Sequence, residues 1–107
     1  MRAVYKQPGA LPEVMDIDND LVPIQAIVGG YIETVSLGDG LLLIVNEEGR
    51  LLGLDPNMYL VSGTYVEEIV GPALVVKDAG EEFGELTEEE ADEVCRQIGG
   101  SGIWLLK

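Results

Sequence analysis

An Asp-Gly turn between two β-compatible arms is the strongest constraint on how this chain folds. Tyr31 to Leu37 alternates, with Ile32, Thr34 and Ser36 on one side and Tyr31, Glu33, Val35 and Leu37 on the other. Gly38-Asp39-Gly40 follows, and the next arm, Leu41 to Val45, is apolar at every position. Asp-Gly between such arms specifies a hairpin. An unbroken apolar arm suits a central strand covered on both faces. Asn46-Glu47-Glu48-Gly49 then closes that arm with a further turn.

Around this hairpin the remaining elements are shorter. Arg2 to Lys6 and Glu13 to Asp18 predict two strands separated by Pro8-Gly9 and Leu11-Pro12. Asp18-Asn19-Asp20 offers N-cap groups for a short helix to about Val28, with Leu21, Ile24, Ile27 and Val28 on one face. Pro23 fits only its first turn, and Gly29-Gly30 suits its end. Arg50 to Gly63 reads as a packed loop holding a short strand or a turn of helix. Val66 to Val76 reads as one strand region, with Gly71-Pro72 marking an edge or a bulge.

Asp78 to Glu85 is a polar connection. Thr87-Glu88-Glu89-Glu90 is a capping box, and Ala91, Val94, Cys95 and Ile98 continue it as one apolar stripe. Gly99-Gly100 is expected to end this helix. Ile103 to Leu106 is too apolar to float free and suits a last strand. The expected fold is α+β: one domain over residues 1–107, with two short helices on an antiparallel or mixed sheet in the order β-β-α-β-β-loop-β-α-β. Residues 99–107 form either that last strand or a C-terminal extension.

Composition removes several chemistries. The chain of 107 residues supports one modest core. It has no histidine, which excludes imidazole acid–base catalysis, Ser-His-Asp triads and the usual zinc sites. One cysteine, Cys95, cannot form an intrachain disulfide. Set among acids on a helix's apolar stripe, it is expected to be a small core residue with its thiolate disfavoured. Six basic residues against 20 acidic ones leave a net charge of -14. Such a surface does not attract nucleic acid or anionic membranes, and any charged partner is expected to be basic. Neither a signal peptide nor a bilayer-length apolar run is evident, so the expected location is cytoplasmic. No cofactor is implied.

Candidate sites compete with local explanations. Asp16, Asp18 and Asp20 have the opening spacing of a calcium loop, but Leu21 and Ile27 stand where glycine and a bidentate carboxylate are needed. No metal site is expected. The glycines at 29–30 and 99–102 follow helices rather than precede them, which suits capping rather than phosphate binding. Asp78 to Glu93 holds nine acids and no base. Glu81, Glu82, Glu85, Glu88, Glu89 and Asp92 could form an acidic face mimicking DNA phosphates. Asn46, Glu47, Glu48, Asp55, Pro56 and Asn57 place polar groups at the rims of apolar segments and are the expected binding residues. Glu47 and Glu67 could pair for acid–base work, although the sequence does not bring them together. No nucleophile and base can be paired, so the chain is expected not to be an enzyme.

Several blocks together resemble domain-of-unknown-function family 3846. They are Met1-Arg2-Ala3-Val4, Pro8-Gly9, Glu13-Val14, Val28 to Glu33, Asn46 to Leu51, Gly53 to Asn57 and Gly71 to Val76. The similarity spans about Met1 to Ile98. It implies small proteins of gut Firmicutes, phages and mobile elements with no established activity, cofactor or catalytic residues. The family often carries a basic residue after the Pro-Asn pair, where this chain has Met58. The expected role is that of a non-enzymatic accessory protein of phage or mobile-element origin that binds another macromolecule, a protein partner above all. Alternatives are an acidic DNA mimic acting against restriction or defence, and a small-molecule protein that sequesters a nucleotide signal near Asn46 and Asn57. The sequence leaves homo-oligomer formation open.

Overall fold

The computed structural model describes residues 1–106; Lys107, the last residue of the expected tail, lies outside the described residues. Among the described residues, nine strands and two helices form one α+β domain. In chain order these are β1 (Arg2–Lys6), β2 (Glu13–Asp16), α1 (Leu21–Val28), β3 (Ile32–Gly38), β4 (Leu41–Asn46), β5 (Pro56–Ser62) and β6 (Tyr65–Val70). Then come β7 (Ala73–Ala79), β8 (Glu82–Gly84), α2 (Glu88–Ser101) and β9 (Ile103–Leu105). No helix among them is long and apolar enough to cross a membrane.

The hairpin forms as its turn chemistry dictates. Asp39 and Gly40 form a two-residue loop, both with positive φ, and β3 pairs antiparallel with β4. The large sheet runs β2-β1-β7-β4-β3, with β8 on β7 beyond the end of β1. The apolar arm of the hairpin is central, as its composition requires. Its alternate residues supply two separate cores. Ile44 joins Leu74, Val76 and Ala3 under Ile24 and Val28 of α1. Leu41, Leu43 and Val45 join Val4 and Val75 on the opposite face, beneath Ala91, Val94 and Ile98 of α2.

That second face carries a further layer not expected as such. β6, β5 and β9 form a separate three-stranded sheet, whose Met58, Leu60, Ile69 and Trp104 complete the same core. The α+β class stands, but there are two sheets rather than one. Gly71-Pro72 is the reason. Val66 to Val76 is not one interrupted strand, because Gly71, with φ 77°, turns the chain from β6 in the small sheet to β7 in the large one. A β-carbon at Gly71 would lie 2.6 Å from Leu54 Cδ1. The expected packed loop likewise contains a full strand, β5, paired antiparallel with β6 and parallel with β9. Within the polar connection after Asp78, Gly80 (φ 83°) makes the tight turn that returns β8 onto β7.

At α2 the capping box forms on both sides: Thr87 Oγ1 accepts from the Glu90 N–H, and Glu90 Oε1 accepts from the Thr87 N–H. Lys77 pairs with the same carboxylate, and with Thr87 it holds Glu90 below the usual carboxylate range. The helix continues through Gly99 and Gly100 and ends at Gly102, whose φ of 69° makes it the left-handed cap. Glycine lowers helix propensity by only about 1 kcal/mol per residue, and burial of Ile98 offsets that. This longer helix delivers the chain into β9, where Trp104 is 3% exposed and its indole N–H donates to the Leu37 carbonyl at 3.0 Å.

Trp104 therefore makes β9 part of the core. Trp104→Ala should cost about 3–5 kcal/mol, read as a lower urea midpoint. A chain ending at Gly99 should lose its cooperative transition. Wild-type unfolding by that truncated chain would show that β9 is dispensable.

Candidate functional site

The chain between β4 and β5 folds into a stiff projecting turn. Asn46 starts it: its side-chain Oδ1 accepts from the Glu48 N–H at 2.8 Å, closing an Asx-turn, and its Nδ2 donates to the Val28 carbonyl at the end of α1 at 3.2 Å. The Leu52 N–H then donates to Glu48 O at 2.9 Å, Gly53 to Arg50 O at 3.1 Å, and Leu54 to Gly49 O at 3.0 Å. Gly49 lies so close to β6 that a β-carbon would sit 2.9 Å from Val70 Cγ2. Arg50 reaches across to donate to the Glu68 carbonyl at 2.6 Å. The outcome is a rigid tip on which Leu51 is 86% exposed and Leu52 59% exposed.

Beside this tip lies a cleft of about 180 Å³ between the edges of the two sheets. Its apolar floor includes Val35, Val45 and Ile69; Glu33, Glu47, Glu67 and Glu68 bring four carboxylates to it, against one cation, Arg50. Tyr65 donates to Glu67 at 3.0 Å, which raises the tyrosine's pKa, and Tyr59 donates to Glu68 at 3.4 Å. On the other side of the tip, Leu52 and Glu48 line a second hollow with Tyr31, Gln25 and Asn46.

The expected binding residues divide into two groups. Glu47 and Glu48 are exposed on the tip, and Glu47 and Glu67, which the sequence could not place together, line the same cleft. Asn46 and Asn57 are buried braces. Asn57 receives the Lys6 ammonium on its backbone O at 3.0 Å and on Oδ1 at 2.7 Å, and its Nδ2 donates to Lys6 O at 2.8 Å and Gly71 O at 2.7 Å. Asp55 accepts the Gly71 N–H at 2.8 Å, and Pro56 opens β5. Met58 is fully buried between the sheets, so its position faces the core rather than a ligand.

The acidic run does not make one surface. Glu81 and Glu82 line a hollow with Asn19, Asp20 and Leu21 at the start of α1. Glu85 accepts the Arg2 N–H at 2.9 Å, whereas Glu88, Glu89 and Asp92 belong to α2, on the opposite side of the large sheet from α1. Cys95 is partly buried, and burial, helped by Asp92, pushes its thiol up.

The family described as Domain of unknown function (DUF3846) matches residues 1–99. The chain belongs to DUF3846. No match is found among curated proteins or among solved structures. The part of the chain that matches DUF3846 contains the whole projecting turn and its cleft, together with the Asn46 and Asn57 braces. It stops two residues short of the end of α2 and before β9.

Leu51 and Leu52 were not singled out by the sequence. Their signal was there: two leucines flanked by turn residues on both sides cannot both reach a core. Lys6, the partner of Asn57, left no such signal, since it lies 51 residues away in the chain.

The Lys6–Asn57 node is open to test. Asn57→Ala leaves the Lys6 and Gly71 carbonyls without their donor, and should lower stability by about 2–4 kcal/mol. Burial also lowers the Lys6 pKa below the ordinary lysine value. The folded protein then releases this proton before the unfolded chain does, so stability rises as pH climbs from the lowered value to the ordinary one. Urea titrations across that interval should show Lys6→Met gaining less with pH than the wild type. Parallel curves would mean the ammonium is not desolvated.

Proposed function

We propose that this DUF3846 protein is a non-enzymatic accessory protein of phage or mobile-element origin, acting in the cytoplasm by binding another protein. The observation that carries this reading is the pair Leu51 and Leu52, held exposed on a turn fixed by its own hydrogen bonds. Burying a leucine is worth about 1.5–3 kcal/mol, and a rigid tip loses little entropy when it docks. The four carboxylates of the adjacent cleft and the net charge of -14 favour a partner with basic residues around an apolar pocket.

The other two readings have less support. A DNA mimic needs its anions in one array, and this acidic run is divided between the two sides of the large sheet. A nucleotide-sequestering pocket near Asn46 and Asn57 would need their amides, which are already bonded within the protein. A non-enzymatic role is favoured by the lack of histidine and by the raised thiol of Cys95.

Leu51→Asp and Leu52→Asp should each weaken partner binding by more than about tenfold, equivalent to about 1.4 kcal/mol. Their urea midpoints should stay near the wild type, because both side chains are mostly exposed. The partner is isolated from the native host by affinity capture, purified, and titrated calorimetrically against wild type and variants at several salt concentrations. Unchanged affinity in both variants, or no partner for the wild type, would refute the proposal.

A further inference from the structure

A sheet's outermost strand turns half of its backbone N–H and C=O groups toward solvent, and natural proteins usually guard such edges against pairing with another chain. This domain guards four of its five: β8, for one, is three residues long and has the Asn19 amide on its Phe83 carbonyl. β2 is short, follows Pro12, and carries Glu13 and Asp16. β9 is only three residues long. β6 has the Arg50 guanidinium on its Glu68 carbonyl.

β3 has no such guard from Ile32 to Ser36; its one irregularity is a register shift between Ser36 and Gly38, beside the hairpin turn. The strand is seven residues long, contains neither proline nor lysine, and has Glu33 as its sole charge. Its register with β4 identifies the free groups. The Tyr31 carbonyl accepts from the Glu47 N–H at 2.8 Å, so Tyr31 faces β4, and by antiparallel alternation so do Glu33 and Val35. Gly40, on the other side of the turn, accepts from Asp78 in the β7 direction, which fits the same alternation. The backbone groups of Ile32, Thr34 and Ser36 therefore point away from the sheet. β3 ends the large sheet, so no further strand lies beyond those groups.

We propose that the outer edge of β3 is a docking edge, to which an extended, basic segment of a partner protein adds as a further strand. The inference rests on the protein-binding reading above and supplies its mode. Backbone pairing to Ile32, Thr34 and Ser36 gives the added strand its register, and its alternate side chains fall on the Glu33 and Val35 side, at the mouth of the acidic cleft. Lysine or arginine fits there: the aliphatic stem lies along Val35, and the cation meets Glu33 and Glu67. A second copy of this chain is the wrong occupant. It would place Glu33 near its own duplicate and bring together two molecules each of net charge -14.

Thr34→Pro tests the edge with little disturbance to the fold, since the N–H that proline removes points to solvent rather than into the ladder. The probes are a short synthetic peptide alternating lysine with threonine, and a control with glutamate in place of lysine. The lysine peptide should bind full-length protein and slow hydrogen exchange at the Ile32, Thr34 and Ser36 amides by at least about tenfold. Thr34→Pro should abolish this while its urea midpoint stays near the wild type, and Glu33→Gln should weaken it. The Leu52→Asp variant, altered on the side of the tip away from the cleft, should bind the peptide as the wild type does, which separates strand addition from tip docking. Equal binding of both peptides, unprotected edge amides, or full binding by a folded Thr34→Pro would overturn the proposal and leave the tip reading standing. A wild-type dimer that Thr34→Pro dissociates would also overturn it, in favour of self-pairing.

Discussion

β4 and β7 run side by side in the middle of the large sheet, and from Leu42 to Ile44 and Leu74 to Val76 every paired residue is apolar. Leu43 and Val75 look one way while Ile44 and Leu74 look the other, and all four are essentially fully buried. Each face must then be covered by something apolar. α1 is only eight residues long and covers one side with Ile24 and Val28. The opposite side is broader, and α2 shares it with the small sheet. The three layers follow from the need to keep water off both sides of two strands.

Parts of this architecture were legible because their causes are local. Asp39-Gly40 needs only its own backbone preferences to make a turn, and Thr87 finds its capping partner three residues later. The second sheet was hidden because its causes are distant. β5 depends on β9, more than forty residues later, and on Gly71 passing close to Leu54. Met58 and Leu60 alternate with Tyr59 as a strand should, but Gly53, Pro56 and Gly63 around them favour a loop to any short-range reading. At α2, tertiary burial of Ile98 prevailed over the helix-breaking tendency of Gly99 and Gly100.

The candidate site shows the same division. The turns at Asn46 and Asp55 were legible as turns. Which residues face outward was not legible. Asparagines beside turns invite a ligand-binding role, yet Asn46 and Asn57 spend their amides joining α1 to β4 and β1 to β5. The exposed groups are the leucines between them. Membership of DUF3846 extends over this region and adds no chemistry of its own.

β9 sets the order in which the molecule can be completed. It pairs with β5 from the far end of the sequence, and Trp104 fills space beside Met58 and Leu60. During translation the other described elements leave the ribosome first, so the space beside Met58 and Leu60 that Trp104 fills stays open until β9 has emerged from the exit tunnel. Over that interval the nascent polypeptide presents a sticky, half-built interior, where chaperones or premature aggregation can act.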